Sequence, residues 1–215
     1  MKHKGKFIVF EGIDGCGKTE LMNWAYNYLK NKGLDIIKGR EPGGVEVSEK
    51  IRKILLDPRY KNKLTERTEL ALFEASRSQY VKDFLIPNLL KNKIILSDRF
   101  CESTIAYQGF GRGISLQIIE LMNKYYTYNI NPDLTFIIDV PVSMALERIE
   151  QQKTKKDRFE KEERDFHEKV RQGYLWIVGD YKRCVLVDNS GSIKDAREKI
   201  KEHIDVFLEK YFKSP

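Results

Sequence analysis

The 215-residue sequence holds 39 Lys and Arg against 32 Asp and Glu, a formal net charge of +7 with 33% charged residues; it is long enough to bury one core without disulfides or metals, and no apolar run approaches a membrane span. The charge does not imply a nucleic-acid stripe, because Lys153, Lys155 and Lys156 are interspersed with Glu147, Glu150, Asp157 and Glu160 as on a solvated helix face. Cys16, Cys101 and Cys184 show no metal-ligand spacing, and the apolar run after the basic start is four residues long, too short for a signal peptide, so a reducing, cytosolic setting is expected.

In chain order, the apolar run 7–10 reads as a buried strand. It leads into Gly12-Ile13-Asp14-Gly15-Cys16-Gly17-Lys18-Thr19, a G-x-x-x-x-G-K-T phosphate loop in the strand-then-helix setting that such a loop needs. Its glycines let backbone N–H groups turn inward around phosphate oxygens at the positive end of the next helix. Lys18 is then placed for the β- and γ-phosphates of a nucleotide, and the Thr19 hydroxyl for Mg²⁺. The helix is expected over 18–32, with Leu21, Ala25, Tyr28 and Leu29 on one stripe and Gly33 as its stop.

Further strands are expected at 35–39, 94–97, 134–140 and 184–188, separated by helical patterns. Near-continuous apolar strands alternating with helices predict a parallel sheet covered on both faces, a three-layer α/β domain spanning 1–215. Pro87 should divide the helical pattern over 65–91, and Ser192 with Asp195 reads as a capping box for the last helix. The polar stretch at about 149–164 is expected to act as a mobile lid.

The strand at 94–97 ends on Asp98, a carboxylate expected beside Thr19 where it helps to hold the Mg²⁺ shell. In the continuation Asp98-Arg99-Phe100-Cys101-Glu102-Ser103-Thr104-Ile105-Ala106-Tyr107-Gln108, an arginine, a serine, a tyrosine and a glutamine follow at the carboxyl end of a strand, where open α/β sheets bind ligands. Arg99 offers a planar fork suited to phosphate.

Together with Arg40-Glu41-Pro42-Gly43-Gly44, Leu72-Phe73-Glu74-Ala75-Ser76-Arg77, Gly109-Phe110-Gly111-Arg112-Gly113 and Asn131-Pro132-Asp133-Leu134-Thr135, in this order, these motifs resemble the thymidylate kinase family over nearly the whole chain. The resemblance implies a P-loop nucleoside monophosphate kinase fold with a five-stranded parallel sheet in the order 2-3-1-4-5. It also implies a homodimer, and transfer of the γ-phosphoryl group of ATP to dTMP with Mg²⁺, giving dTDP.

On the same resemblance, residues 12–19 and Arg148 hold ATP, and Arg40 and Arg99 hold the acceptor phosphate. Asp14 lies near that phosphate, the metal or the 3′-hydroxyl; as an acid among phosphates it favours a metal or a hydroxyl partner. Phe73 stacks on thymine, Arg77 donates to a pyrimidine carbonyl, Ser103 or Gln108 reads the polar edge of the ring, and Tyr107 crowds the 2′ position. With Gly15 and Cys16 in the loop, the chain resembles the class that supplies its catalytic arginine from the lid, with Arg158 first and Arg148 second in line. The lysines between them lack arginine's bidentate fork. Glu20, where the family usually has a small hydroxyl residue, is expected to point to solvent, and Asp188-Asn189-Ser190-Gly191-Ser192 resembles an adenine-side loop. Other readings of the phosphate loop are a related nucleoside or nucleotide kinase, a GTPase and a nucleic-acid-stimulated ATPase; the Asn-Lys-x-Asp guanine reader that a GTPase needs is not in the sequence.

Overall fold

The computed structural model describes residues 5–151 and 156–212. Five strands, β1 (Lys6–Glu11), β2 (Ile36–Arg40), β3 (Ile94–Asp98), β4 (Leu134–Asp139) and β5 (Cys184–Asp188), form one sheet in the order β2-β3-β1-β4-β5. All four pairings are parallel. The sheet matches the order that the resemblance implies, and the strands begin and end within one residue of the apolar runs.

The pleat of β1 explains why its sequence is apolar throughout. Ile8 and Phe10 face one layer, with Leu21, Ala25, Phe136, Tyr174 and Ile200. Phe7 and Val9 face the other, with Tyr80, Leu85, Ile95 and Phe100. Alternate side chains point to opposite faces, so a strand buried on both sides cannot alternate with polar residues. The start of β1 is fixed by Asp133, which accepts from the Phe7 amide at 2.8 Å and pairs with Lys6 at 3.2 Å, giving the Asn131-Pro132-Asp133 motif a structural task.

The helices are α1 (Lys18–Asn31), α2 (Glu46–Leu56), α3 (Glu66–Tyr80), α4 (Ile86–Leu90), α5 (Cys101–Thr104), α6 (Leu116–Tyr126), α7 (Val142–Gln151), α8 (Arg164–Asp180) and α9 (Ile193–Phe212). Gly33 ends α1 in the left-handed region at φ 77°. Pro87 divides its helical pattern as expected, and the break takes the form of a π-turn, Val81–Leu85, between α3 and α4. A proline amide cannot donate, and the wider turn is supported by the Asn88 side chain, which donates to the Phe84 carbonyl at 2.7 Å. A second π segment, Ile105–Gly111, extends α5 and carries Tyr107 and Gln108. Ser192 caps α9 by accepting from the Lys194 amide at 3.1 Å, one residue earlier than a capping box predicts. Glu20 lies at the surface, as expected, paired with Arg197 at 2.9 Å.

Candidate active site

The carboxyl ends of β1, β2 and β3 place Glu11, Arg40 and Asp98 along one rim of the sheet, with the phosphate loop between β1 and α1. The loop is held open from outside. Asn189, after β5, donates to the Cys16 carbonyl at 2.8 Å, Arg148 of α7 approaches the same oxygen at 3.5 Å, and Arg99 donates to the Gly12 carbonyl at 3.0 Å. With these carbonyls tied outward, the loop can present amides to an anion. Gly17, at φ 88°, has no room for a side chain, because a Cβ there would sit 2.5 Å from Asn189 Nδ2. Cys16 is buried, and burial raises its thiol pKa, so it fills space rather than presenting a thiolate.

Lys18 Nζ pairs with Asp98 Oδ1 at 3.1 Å, and the Thr19 hydroxyl lies 3.5 Å from Asp98 Oδ2. Burial would push the Asp98 carboxyl up, but Lys18 and Arg99 outweigh it and hold the pKa below its ordinary value. The sequence therefore brings Lys18, Thr19 and Asp98 together as expected.

Arg99 is the centre of the neighbouring pocket. It follows β3 with φ 72°, a strained conformation for a residue with a side chain, and its amide donates to the Phe10 carbonyl at 2.9 Å. Nη1 reaches Ser103 Oγ (3.1 Å) and Tyr174 OH (2.8 Å), while Nη2 reaches Asp14 Oδ1 (2.6 Å) and Tyr107 OH (3.1 Å). Tyr107 OH in turn donates to Asp14 Oδ2 at 2.9 Å. Both Asp14 oxygens thus serve Arg99 and Tyr107, which accounts for an acid in a phosphate site without a metal.

Glu11, which sequence reasoning missed, lies beneath this group. It accepts from the amides of Phe100 (2.7 Å) and Ser103 (3.1 Å), from Ser103 Oγ (2.6 Å) and from Tyr174 OH (2.8 Å). A carboxylate closing an otherwise apolar strand was the available signal.

The pocket around Arg99 is a cavity of about 80 Å³ whose walls include Asp14, Arg52, Phe73, Ser103, Tyr107 and Gln108. Glu41, Asp157 and Phe159 also line it. Phe73 and Phe159 are 5.8 Å apart between ring centroids. Arg52 on α2, tied to the Pro42 carbonyl at 2.8 Å, is a second cation in the wall that the sequence reading did not single out. Only its place near the Arg40-Glu41-Pro42-Gly43-Gly44 motif hinted at it.

Three of the arginines named from the sequence lie outside the wall of this pocket. Arg40 pairs with Glu49 at 2.7 Å and lines a separate cleft with Thr19, Lys38 and Asp98. Arg77 is 2% exposed and does not reach the pocket surface; its guanidinium is spent on Glu41 (2.8 Å), Glu74 (2.7 Å), Thr104 (2.8 Å), Asn123 (2.8 Å) and the Phe100 carbonyl (3.0 Å). It braces the pocket wall from behind.

Arg158 is also 2% exposed, bound to the Leu55 carbonyl at 2.8 Å and to Glu69 at 2.5 Å, with its guanidinium over Phe159. A buried guanidinium is tolerated only when paired, and Glu69 supplies the pairing, so in this arrangement the arginine fastens the lid rather than facing phosphate. Asp157 and Phe159 on either side of it line the pocket, whereas Lys153 and Lys155 lie outside the described residues; Lys156 pairs with Glu150.

The family of sequences described as thymidylate kinase matches residues 10–200. The chain belongs to the thymidylate kinase family. It is 42% identical over 205 residues to a thymidylate kinase of Kosmotoga olearia, covering 95% of this chain and 97% of the relative. It is 41% identical over 202 residues to that of Fervidobacterium nodosum, covering 94% of this chain and all of the relative. The crystal structure of thymidylate kinase from Ehrlichia chaffeensis superposes with a TM-score of 0.75 at 30% identity, over 93% of this chain and 98% of that one. The chain is therefore a phosphotransferase of this family, with ATP as donor and dTMP as acceptor.

The buried acids of this kinase site give stability a pH dependence. Burial, partly offset by Arg99, pushes Glu11 up to about 7, and burial, partly offset by Arg77, pushes Glu41 up to about 7. A carboxyl whose pKa is higher folded than unfolded binds its proton more tightly in the folded state. Its stabilisation is complete below the ordinary value near 4.5 and is lost as pH rises to 7. The shifts set an upper limit of about 3 kcal/mol for each group. Buried His167, whose pKa is lowered, opposes them at the acid end. Urea unfolding is expected to show that Glu41→Gln flattens the decline between pH 5 and pH 8; an unchanged slope would remove Glu41 as its source.

Proposed function

We propose that this chain holds the acceptor phosphate on Arg99 with help from Arg52, and the thymine against Phe73 with Gln108 at its polar edge. Asp14 orients Arg99, Ser103 links it to Glu11, and Tyr107 narrows the pocket beside the sugar. The donor triphosphate lies in residues 12–19 with Lys18 on its β- and γ-phosphates, and Arg148 on the rim contacts ATP. Arg40, on the Thr19 and Asp98 side, adds positive charge along the path between donor and acceptor. The observation that carries this reading is Arg99 itself: the residue after the Asp98 that pairs with Lys18 is the cation at the centre of the neighbouring pocket. One turn of chain thus joins donor and acceptor sites, as an in-line transfer between two polyanions requires.

The same rim fits Mg²⁺. Among the described residues no cluster of three or more His, Cys, Asp or Glu could cage a metal. Mg²⁺ needs no such cage: one carboxylate, a hydroxyl and substrate phosphates suffice, and Asp98 with Thr19 Oγ1 supplies the first two. The ion when bound neutralises charge developing between the β- and γ-phosphates. Asp14 joins it only if released from Arg99 and Tyr107.

A cavity of about 80 Å³ is below the roughly 300 Å³ at which small-molecule sites begin, so dTMP enters by displacing the wall formed by Asp157 and Phe159. The segment at about 149–164 is in this sense a lid on a single kinase domain, with Arg158 as its anchor. We also assign a second copy of this chain to the outer face of α6, where Ile118, Leu121 and Tyr125 form an exposed apolar stripe at i, i+3 and i+7. The enzyme works in the cytosol as a homodimer, without nucleic acid or membrane. Among the described residues no helix is long and apolar enough to cross one.

The test is ADP release from ATP with dTMP, dUMP, dCMP, UMP, thymidine or no acceptor, each with and without a chelator. Turnover with dTMP should exceed the other acceptors and should vanish when Mg²⁺ is removed. Turnover with thymidine alone would overturn the acceptor-phosphate assignment, and full activity in the chelator would overturn the metal assignment.

A further inference from the structure

Gln108 forms part of the wall of the acceptor pocket, and what it offers a base depends on which end of its amide faces inward. Its Nε2 donates to Glu69 Oε1 at 2.8 Å. Glu69, on α3, is itself 1% exposed and lies between two guanidiniums. Arg112 donates to Oε1 and to Oε2, each at 3.2 Å, and Arg158 donates to Oε2 at 2.5 Å. A carboxylate in that position has no proton to give, so only the NH₂ end of Gln108 can face it. The carbonyl end is left for the pocket, and no described residue donates to it.

We propose that Glu69, without touching the nucleotide, is the residue that makes this kinase choose thymine over cytosine, by locking the Gln108 amide with its oxygen toward position 3 of the base. The inference rests on the reading above that the base lies in this pocket. Thymine and uracil carry N–H at position 3 and donate to that oxygen. Cytosine has a lone pair there, and two acceptors face each other without a proton between them. A free glutamine would turn over and offer its NH₂ to cytosine instead; Glu69 prevents this. Sites built around one hydrogen-bond polarity reject the wrong partner far more strongly than shape alone allows, because a buried polar group is left unpaired.

Glu69→Gln reverses the polarity. The two arginines can only donate, and Oε2 receives from both of them while Oε1 receives, of the two, from Arg112 Nε alone, so the oxygen of the substituted side chain turns to the Oε2 side. Its NH₂ then faces Gln108, which must present oxygen to it and NH₂ to the pocket. The dTMP-to-dCMP ratio of kcat/KM is expected to fall about 100-fold, mainly through KM, as for a lost buried pairing of this kind. The dTMP-to-dUMP ratio should stay within about threefold, since both bases have the same edge at position 3. Arg158→Met loosens the lid but leaves Gln108 on Glu69, and should leave the dTMP-to-dCMP ratio unchanged.

Equal losses on all acceptors in Glu69→Gln would overturn the proposal and reduce Glu69 to a lid anchor. Gln108→Ala separates this from a failure of the pocket reading: if that variant also keeps the wild-type ratio, the base does not lie against Gln108. A measurement on the unaltered enzyme guards against misfolding of the variants. The 3-deaza analogue of dCMP replaces the offending lone pair with C–H and should be phosphorylated at least tenfold better than dCMP; equal turnover would mean that no acceptor faces position 3.

Discussion

Arg99→Lys is expected to lower kcat/KM for dTMP about 10³-fold, in line with the 2–5 kcal/mol lost when one member of a desolvated, hydrogen-bonded charge pair is truncated. The substitution preserves the charge and the strained backbone, since neither residue is glycine, so what it removes is geometry. The guanidinium spans Gly12 O, Ser103 Oγ and Tyr174 OH with one nitrogen and Asp14 and Tyr107 OH with the other. It also lies 5.0 Å over the Tyr107 ring. An ammonium is one point with three donors and cannot serve two such clusters at once. Glu11 lies 3.7 Å from Nη1, so an ammonium placed to serve one cluster also changes its distance to this buried acid. The phosphate loop, the acceptor pocket and α8 all meet at this side chain, so the loss should appear in both kcat and KM, with circular dichroism confirming that the variant is folded. A loss below tenfold would show that the acceptor phosphate is held elsewhere, with Arg52 the next cation in the pocket wall.

How far this site could be read from sequence divides along a physical line. Elements fixed by local chemistry were legible: the strand into the phosphate loop, the glycine stop of α1, the break at Pro87 and the carboxylate after Ile94-Ile95-Leu96-Ser97. Lys18, Thr19 and Asp98 also met as expected, because the loop and the ends of adjacent strands leave them little choice. Arginine positions were not legible, because a guanidinium goes where carboxylates gather, and that depends on the fold. Arg77 is drawn behind the wall by Glu41 and Glu74, which come from a loop and from its own helix. Arg158 is drawn down by Glu69 from 89 residues earlier in the chain. The same reasoning explains the omissions. Glu11, Glu69, Tyr174 and Asn189 hold other residues in place, and such a task has no short spacing in sequence to announce it. The Asp188-Asn189-Ser190-Gly191-Ser192 segment was noticed, but the action of Asn189 on the Cys16 carbonyl appears only once β5 is beside β4.

Removing the positive charge of the phosphate loop should be at least as damaging and should take a different kinetic form. Lys18→Met is expected to lower kcat about 10³-fold or more, the upper range for one preorganised donor aimed at charge that develops in the transition state, with dTMP binding little changed. Methionine keeps the unbranched stem and its packing, so α1 retains its first turn. The position is nearly enclosed, 8% exposed, which leaves little water to replace the lost charge. Its ion pair with Asp98 at 3.1 Å adds a second consequence. Lys18 is the strongest influence opposing burial at Asp98, ahead of Arg99, so without it the carboxyl moves toward its protonated form and the Thr19 and Asp98 pair becomes a poorer Mg²⁺ seat. Raising Mg²⁺ should recover part of the activity but not most of it, because the metal deficit is mass action and the missing donor is not. Equilibrium titration with dTMP and single-turnover kinetics separate these contributions. If kcat survived and only KM for ATP rose, Lys18 would be holding the ground-state triphosphate, and the electrostatic work of transfer would fall to the loop amides and the metal.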